Sequence, residues 1–231
     1  MDYVFQPLPV QSVAITGDSR RFPVRRIFCV GRNYADHIRE MGFSPEREAP
    51  FFFTKPADAL VANGATVAYP LLTENFHHEA ELVVAIGKAG MNIPVEEALK
   101  HVWGYAAGND LTRRDLQFAL RDRGRPWDWS KAFDRSAVCG AITQMQGRAL
   151  PGTARIRGSV NGKTRQEATL DLLIWSVAEI IAALSSSVAI QPGDLVYTGT
   201  PAGVGPLVPG DSCTIEVDGL APVTTIIAPR P

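Results

Sequence analysis

Turn-forming residues recur along the whole chain and cut it into short β-prone runs, at 27–30, 51–54, 79–86, 103–107, 195–198 and 214–217. Runs this short, rich in Val, Ile, Phe and Thr and closed by Gly, Pro, Asn or Asp, read as strands. The 20 Gly and 17 Pro are dispersed rather than pooled, so they mark turns and not a linker. Asn161-Gly162 supplies the two positive φ values of a type I′ turn and predicts a hairpin between runs 154–160 and 163–167. Pro-Gly-Asp at 192–194 and again at 209–211 precedes a β-like run each time, an echo of turn chemistry rather than a repeat. Helices are expected at 33–41, 94–102, 112–123 and 174–185, fewer than the strands and without regular β-α alternation. The expectation is therefore a mainly β, α+β fold. Residues 1–24 read as a small N-terminal appendage, and 25–231 as the main domain.

Charge narrows the partners. With 23 Lys plus Arg against 24 Asp plus Glu and no basic arm, neither nucleic acid nor an anionic membrane is expected as a partner. The apolar stretch 172–184 is interrupted by Ser176 and Glu179 and is too short to span a bilayer, so it reads as a buried amphipathic helix. The N-terminus lacks the pattern of an export signal, and Cys29, Cys139 and Cys213 are odd in number and widely spaced. Both features suit a cytoplasmic protein with reduced core thiols. Gly199, Gly203 and Gly205 do not form a dinucleotide fingerprint, and the serines at 185–187 lack a nucleophile-elbow setting.

The chemistry-bearing residues lie elsewhere. His77-His78-Glu79-Ala80-Glu81 leads into an apolar strand, where alternation puts Glu79 and Glu81 on one face. Two adjacent carboxylates repel unless a cation joins them, and a hard divalent ion is the natural one; a solvated strand face is the alternative. Asp110, at the end of run 103–107, adds a third carboxylate, or else caps the helix that follows. Asp110, Arg114, Gln117 and Arg121 fall at helical spacings, and Arg suits an anionic substrate, although the five Arg from 113 to 125 also fit a solvated face paired with Asp115 and Asp122. His37 and Glu40, at i and i+3, form either a water-activating dyad or an exposed ion pair. They precede segment 42–50, which reads as a lid over a site.

Taken together, VGRNYADHIREMG (30–42), FFFTKPADALV (51–61), HHEAELVVAIGK (77–88), GNDLTRRDLQ (108–117), SKAFD (130–134) and GDLVYTGTPAGVG (193–205) resemble the fumarylacetoacetate hydrolase family, in order from about Arg25 onward. The resemblance is to its short members that hydrolyse acylpyruvates, including fumarylpyruvate in gentisate breakdown. It implies a mixed β-roll or sandwich, a homodimer, a small anionic oxo-acid substrate, and Mg²⁺ or Mn²⁺ held by Glu79, Glu81 and Asp110. It further implies His37 and Glu40 as the water-activating dyad, Lys131 as the group stabilising negative charge, and Arg114, Gln117 and Thr200 as substrate contacts. Arg32 and Lys55 belong to matching motifs and are expected to contact substrate as well. Arg114 or Arg121 is expected to bind the remote carboxylate of a fumaryl group. Carbon-carbon bond hydrolysis is the implied activity. Oxaloacetate decarboxylation, isomerisation of 2-hydroxy-dienoates and a non-catalytic metal or oxo-acid binding module are the competing readings.

Overall fold

A computed structural model describes residues 2–231. Its centre is a curled mixed sheet whose strands run, in spatial order, Phe51–Lys55, Arg26–Gly31, Asp194–Tyr197, Ala80–Ile86, Val102–Asp110, Ala137–Cys139 and Leu60–Val61, with Thr143–Gln144 also pairing with Val102–Asp110. A second sheet is ordered Lys163–Thr169, Arg155–Val160, Ser212–Val217, Val223–Ala228 and Ala65–Ala68. Strands Arg155–Val160 and Ser212–Val217 pack across Ala80–Ile86 and Val102–Asp110, giving the mainly β, layered α+β architecture expected from the sequence.

Strand Ala80–Ile86 is buried on both faces. Ala80, Leu82, Val84 and Ile86 enter the core between the sheets, whereas Val83 and Ala85 point into a second core on the opposite face. The predicted hairpin forms at Arg155–Val160 and Lys163–Thr169, with φ values of 51° at Asn161 and 75° at Gly162. Helix Val177–Ser187 opens with a capping box between Ser176 and Glu179. The other expected helices are shorter: Ala35–Glu40, Val95–Ala98 followed by a single 3₁₀ turn, and Arg114–Arg121.

The N-terminal region forms a hairpin, Ser12–Ile15 with Asp18–Pro23, whose Val13 and Phe22 enter the second core beside Ile27 and Cys29. Two features departed from expectation. Strand Val102–Asp110 runs to Asp110 instead of stopping at Ala107, because Ala137–Cys139 pairs along its end. A short helix, Asp128–Lys131, carries Lys131 inward. No helix among the described residues is long and apolar enough to cross a membrane, and all three cysteines are free and buried.

Candidate active site

The site lies where the central strands end. The strand pattern breaks at Glu79, between Phe76–His78 and Ala80–Ile86, and Asn109 accepts the Glu79 N–H at 2.9 Å while Asp110 donates its own N–H to the Glu79 carbonyl at 3.0 Å. These bonds bring neighbouring strand ends together. Carboxylate oxygens of Glu79, Glu81 and Asp110 lie within 4.8 Å of one another, all buried. Asp110 therefore points into the cluster and does not cap helix Arg114–Arg121, whose N-terminus has no side-chain cap.

Lys131 Nζ donates to Glu79 Oε2 and Asp110 Oδ2, each at 2.7 Å, and Arg114 binds the other Glu79 oxygen. Burial opposes ionisation of Glu79, but Lys131 and Arg114 outweigh it and hold the carboxyl well below its usual range. Glu81 has only the Gly199 N–H, at 2.7 Å; burial, with the charges of Asp110 and Glu79, drives its carboxyl well above the usual range. Asp110 Oδ1 is 2.8 Å from Lys55 Nζ but makes no well-directed hydrogen bond. Three buried carboxylates gathered at one point, with Glu81 hard to ionise unaided, form a donor set suited to a hard divalent cation.

His37 and Glu40 lie on helix Ala35–Glu40, with His37 Nδ1 and Glu40 Oε2 3.0 Å apart. Burial disfavours the Glu40 carboxylate, yet the hydrogen bonds from His37 and Gly203 hold its pKa below the usual range. An ionised Glu40 accepts a hydrogen bond from Nδ1–H and so leaves Nε2 with its lone pair, the tautomer a general base requires. His37 is buried and lines the cavity that Glu79, Glu81 and Asp110 also line, so the pair is not an exposed helical bridge.

The glycine-rich run at 199–205 sets both halves of this arrangement. Gly199 N–H binds Glu81 Oε2, and Gly203 N–H binds Glu40 Oε1 at 3.0 Å. Gly199 has φ 99° and packs so closely on Asn33 that a Cβ would lie 2.7 Å from it; at Gly203, φ 95°, a Cβ would lie 2.0 Å from the Arg165 carbonyl. Only glycine fits either position.

The cavity is also lined by Arg32, Arg114, Gln117, Lys131 and Thr200. Of the expected substrate contacts, Lys55 alone lies outside it. Its ammonium sits behind the site, donating to the carbonyls of Leu111 and Ser136 at 3.1 Å and to that of Lys131. Arg114 is held by Glu79 and donates to Gln117 Oε1 at 2.5 Å, which makes it first a support for the carboxylate cluster. His77 is neutral beside it: burial, then the Arg114 charge, lowers its pKa to about 4.

Sequence reasoning missed Gln166. This residue is fully buried; its Nε2 donates to Thr200 Oγ1 at 2.7 Å and its Oε1 accepts the Ala80 N–H at 3.0 Å, tying the second sheet to the site. A Gln in an otherwise exposed hairpin strand gave no local signal. Asn33 was overlooked as well: it is buried and binds the backbone of Trp175 and Thr198, anchoring the turn before the His37 helix.

The model of the fumarylacetoacetate hydrolase C-terminal family matches residues 26–228. The chain belongs to the fumarylacetoacetate hydrolase family. Within this family it is 50% identical over 182 residues to a fumarylpyruvate hydrolase of Ralstonia sp, covering 79% of this chain and 94% of the relative. It is 39% identical over 207 residues to an oxaloacetate tautomerase of Escherichia coli (strain K12), covering 89% and 94% of the two chains. A crystal structure of fumarylpyruvate hydrolase from Pseudomonas aeruginosa, in complex with Mn²⁺ and pyruvate, superposes with a TM-score of 0.96 at 51% identity, covering 99% of this chain and 100% of that one.

Proposed function

We propose that this member of the family is a metal-dependent hydrolase of acylpyruvates that converts fumarylpyruvate and water into fumarate and pyruvate. The observation that carries this reading is the His37–Glu40 dyad opening on the same cavity as the Glu79, Glu81 and Asp110 cluster. The 50% identity to a fumarylpyruvate hydrolase supports the choice of substrate.

Mg²⁺ or Mn²⁺, held by Glu79, Glu81 and Asp110, supplies Lewis acidity at the 2-oxo-acid end of the substrate. His37 Nε2 removes a proton from water while Glu40 stabilises the resulting imidazolium. The oxygen adds to the distal carbonyl, and collapse of the adduct breaks the carbon-carbon bond; the electron pair leaves on pyruvate as its enolate, which takes up a proton. Lys131 has three N–H donors, two of them committed to Glu79 and Asp110, so one remains for developing negative charge on substrate. Thr200, fixed by Gln166, and Gln117, fixed by Arg114, present polar groups to the substrate from the cavity lining.

The same proton-moving groups suit keto–enol exchange in oxaloacetate, the activity for which the Escherichia coli relative is named. An assay with Mn²⁺-loaded protein separates the two, using fumarylpyruvate, maleylpyruvate, acetylpyruvate and oxaloacetate and following enol absorbance and pyruvate. Pyruvate release from fumarylpyruvate is the expected result. Oxaloacetate tautomerisation with no pyruvate from any acylpyruvate would overturn the hydrolase reading. A role in aromatic catabolism through gentisate follows from the substrate, and a cytoplasmic setting is supported by the three buried free thiols. A homodimer is supported by the apolar N-terminal arm, where Val4 and Phe5 are 100% and 81% exposed.

A further inference from the structure

The inner part of the cavity is accounted for by the carboxylate cluster and its cations, but two guanidinium groups in its partly exposed outer lining are not. Arg32 and Arg121 come from different elements and meet over one aromatic ring: Arg32 Cζ is 3.8 Å, and Arg121 Cζ 5.4 Å, from the centroid of Phe43. Arg121 also lies 4.6 Å from the Phe118 ring. Among the described residues Arg32 makes no ion pair and no side-chain hydrogen bond, and Arg121 is shared only with its exposed neighbour Asp122, at 2.7 Å. Arg32 is held in this place by a left-handed backbone, φ 58°, in the turn that Asn33 anchors. Two like charges stacked on a single ring repel each other and lose hydration, and Asp122 at the exposed edge offsets this for Arg121 alone; Glu48 acts on Arg32 from beyond ion-pair distance. An anion placed between them relieves both costs.

The spacing fits a particular anion. Arg114, beside Glu79, and Arg121 share helix Arg114–Arg121, seven residues apart, which is an axial rise of about 10 Å. An extended seven-carbon dicarboxylate separates its terminal carbons by roughly 7–8 Å, from the advance of about 3.8 Å per three bonds in an extended chain. With its 2-oxo-acid end at the carboxylate cluster, such a molecule delivers its far carboxylate to the two guanidinium groups.

We infer that Arg32 and Arg121, backed by Phe43, form a subsite that reads a second carboxylate at the far end of the substrate and so selects dicarboxylic over monocarboxylic 2-oxo acids. This inference rests on the proposed orientation of the 2-oxo-acid end but not on turnover. It also gives the 42–50 segment a role. Phe43 N–H binds the Ile38 carbonyl at 3.0 Å, continuing directly from the helix that carries His37, so an anion held across Phe43 steadies that helix.

The test is calorimetric binding of two non-cleavable ligands of equal length, 2-oxoheptanedioate and 2-oxoheptanoate, to the Mn²⁺-loaded protein. The parent should favour the diacid by about 10- to 100-fold, the range expected for a charge-assisted, bidentate contact. R121Q, at the solvent end of its helix, and R32Q should each reduce that preference at least about threefold, and R32Q/R121Q should abolish it. A parent with no diacid preference, or a double variant that keeps it, overturns the subsite. A clear preference with no acylpyruvate turnover would preserve the subsite and overturn the hydrolase reading. Turnover with no preference would do the reverse.

Discussion

Replacing Lys55 with Met tests whether this residue meets substrate or holds up the site from behind. Its side chain is fully buried; it pairs with Asp110 at 2.8 Å and donates to the carbonyls of Leu111, Lys131 and Ser136. Met keeps the approximate length and the apolar stem but removes the charge and the three donors. Asp110 is then left with Lys131 as its remaining cation, and the Leu111 carbonyl loses its side-chain donor. Breaking a buried ion pair from one side costs about 3–5 kcal/mol. At about 2–4 °C per kcal/mol for a chain of this size, the melting temperature should fall by roughly 6–20 °C. Thermal unfolding in EDTA measures the loss directly. Mn²⁺ should restore part of it, because a cation at the cluster again balances Asp110. A substrate-contact role makes a different prediction: KM rises and the melting temperature stays put. A K55M protein melting within about 2 °C of the parent, with KM raised about tenfold, would refute the placement of Lys55 behind the site.

Four further outcomes are expected. H37A should lower kcat on fumarylpyruvate by about 10²- to 10⁴-fold with an unchanged Mn²⁺ titration, and near-normal turnover would remove His37 as the base. E81Q should raise the Mn²⁺ concentration needed for half-maximal activity; activity that survives chelation and dialysis unchanged would contradict the site. G203A must move the loop off the Arg165 carbonyl and away from Glu40, so kcat should fall by about 10²-fold through misplacement of the dyad, and unaltered kinetics would show that the Gly203 contact is dispensable. Asp115 supplies a pH signature: burial opposes its charge, but the Thr73 hydroxyl and the N–H groups of Glu74 and Leu116 prevail and depress its pKa. Its stabilisation is therefore present above the unfolded pKa of about 3.9 and lost as pH falls through the lower folded value. D115N should cost about 1 kcal/mol at pH 7 and converge with the parent in acid; a constant difference across that range would show that charge plays no part.

The alternating and turn-punctuated regions were legible because their signals are local. The strand from Ala80 follows from an apolar run, the 155–169 hairpin from Asn-Gly, and the last helix from the interrupted apolar stretch 172–184. The 12–23 hairpin was not legible, since its strands alternate weakly and gain their burial from Ile27 and Cys29 of another strand. Asp110 shows the same limit on a finer scale. Its strand extends past Ala107 because Ala137–Cys139 pairs with it, and no residue near Asp110 announces that partner.

By its residue pattern alone the chain determined a mainly β fold and nominated Glu79, Glu81, Asp110, His37 and Glu40, because period-two and helical spacings fix which side chains share a face. Tertiary structure decided what those side chains touch. It put Lys55 behind the cluster, gave Arg114 to Glu79, and set Arg32 and Arg121 over Phe43. It also made one glycine loop hold both Glu81 and Glu40. Each of these outcomes depends on a close approach between segments distant in sequence, and burial then sets the strength of every charge involved.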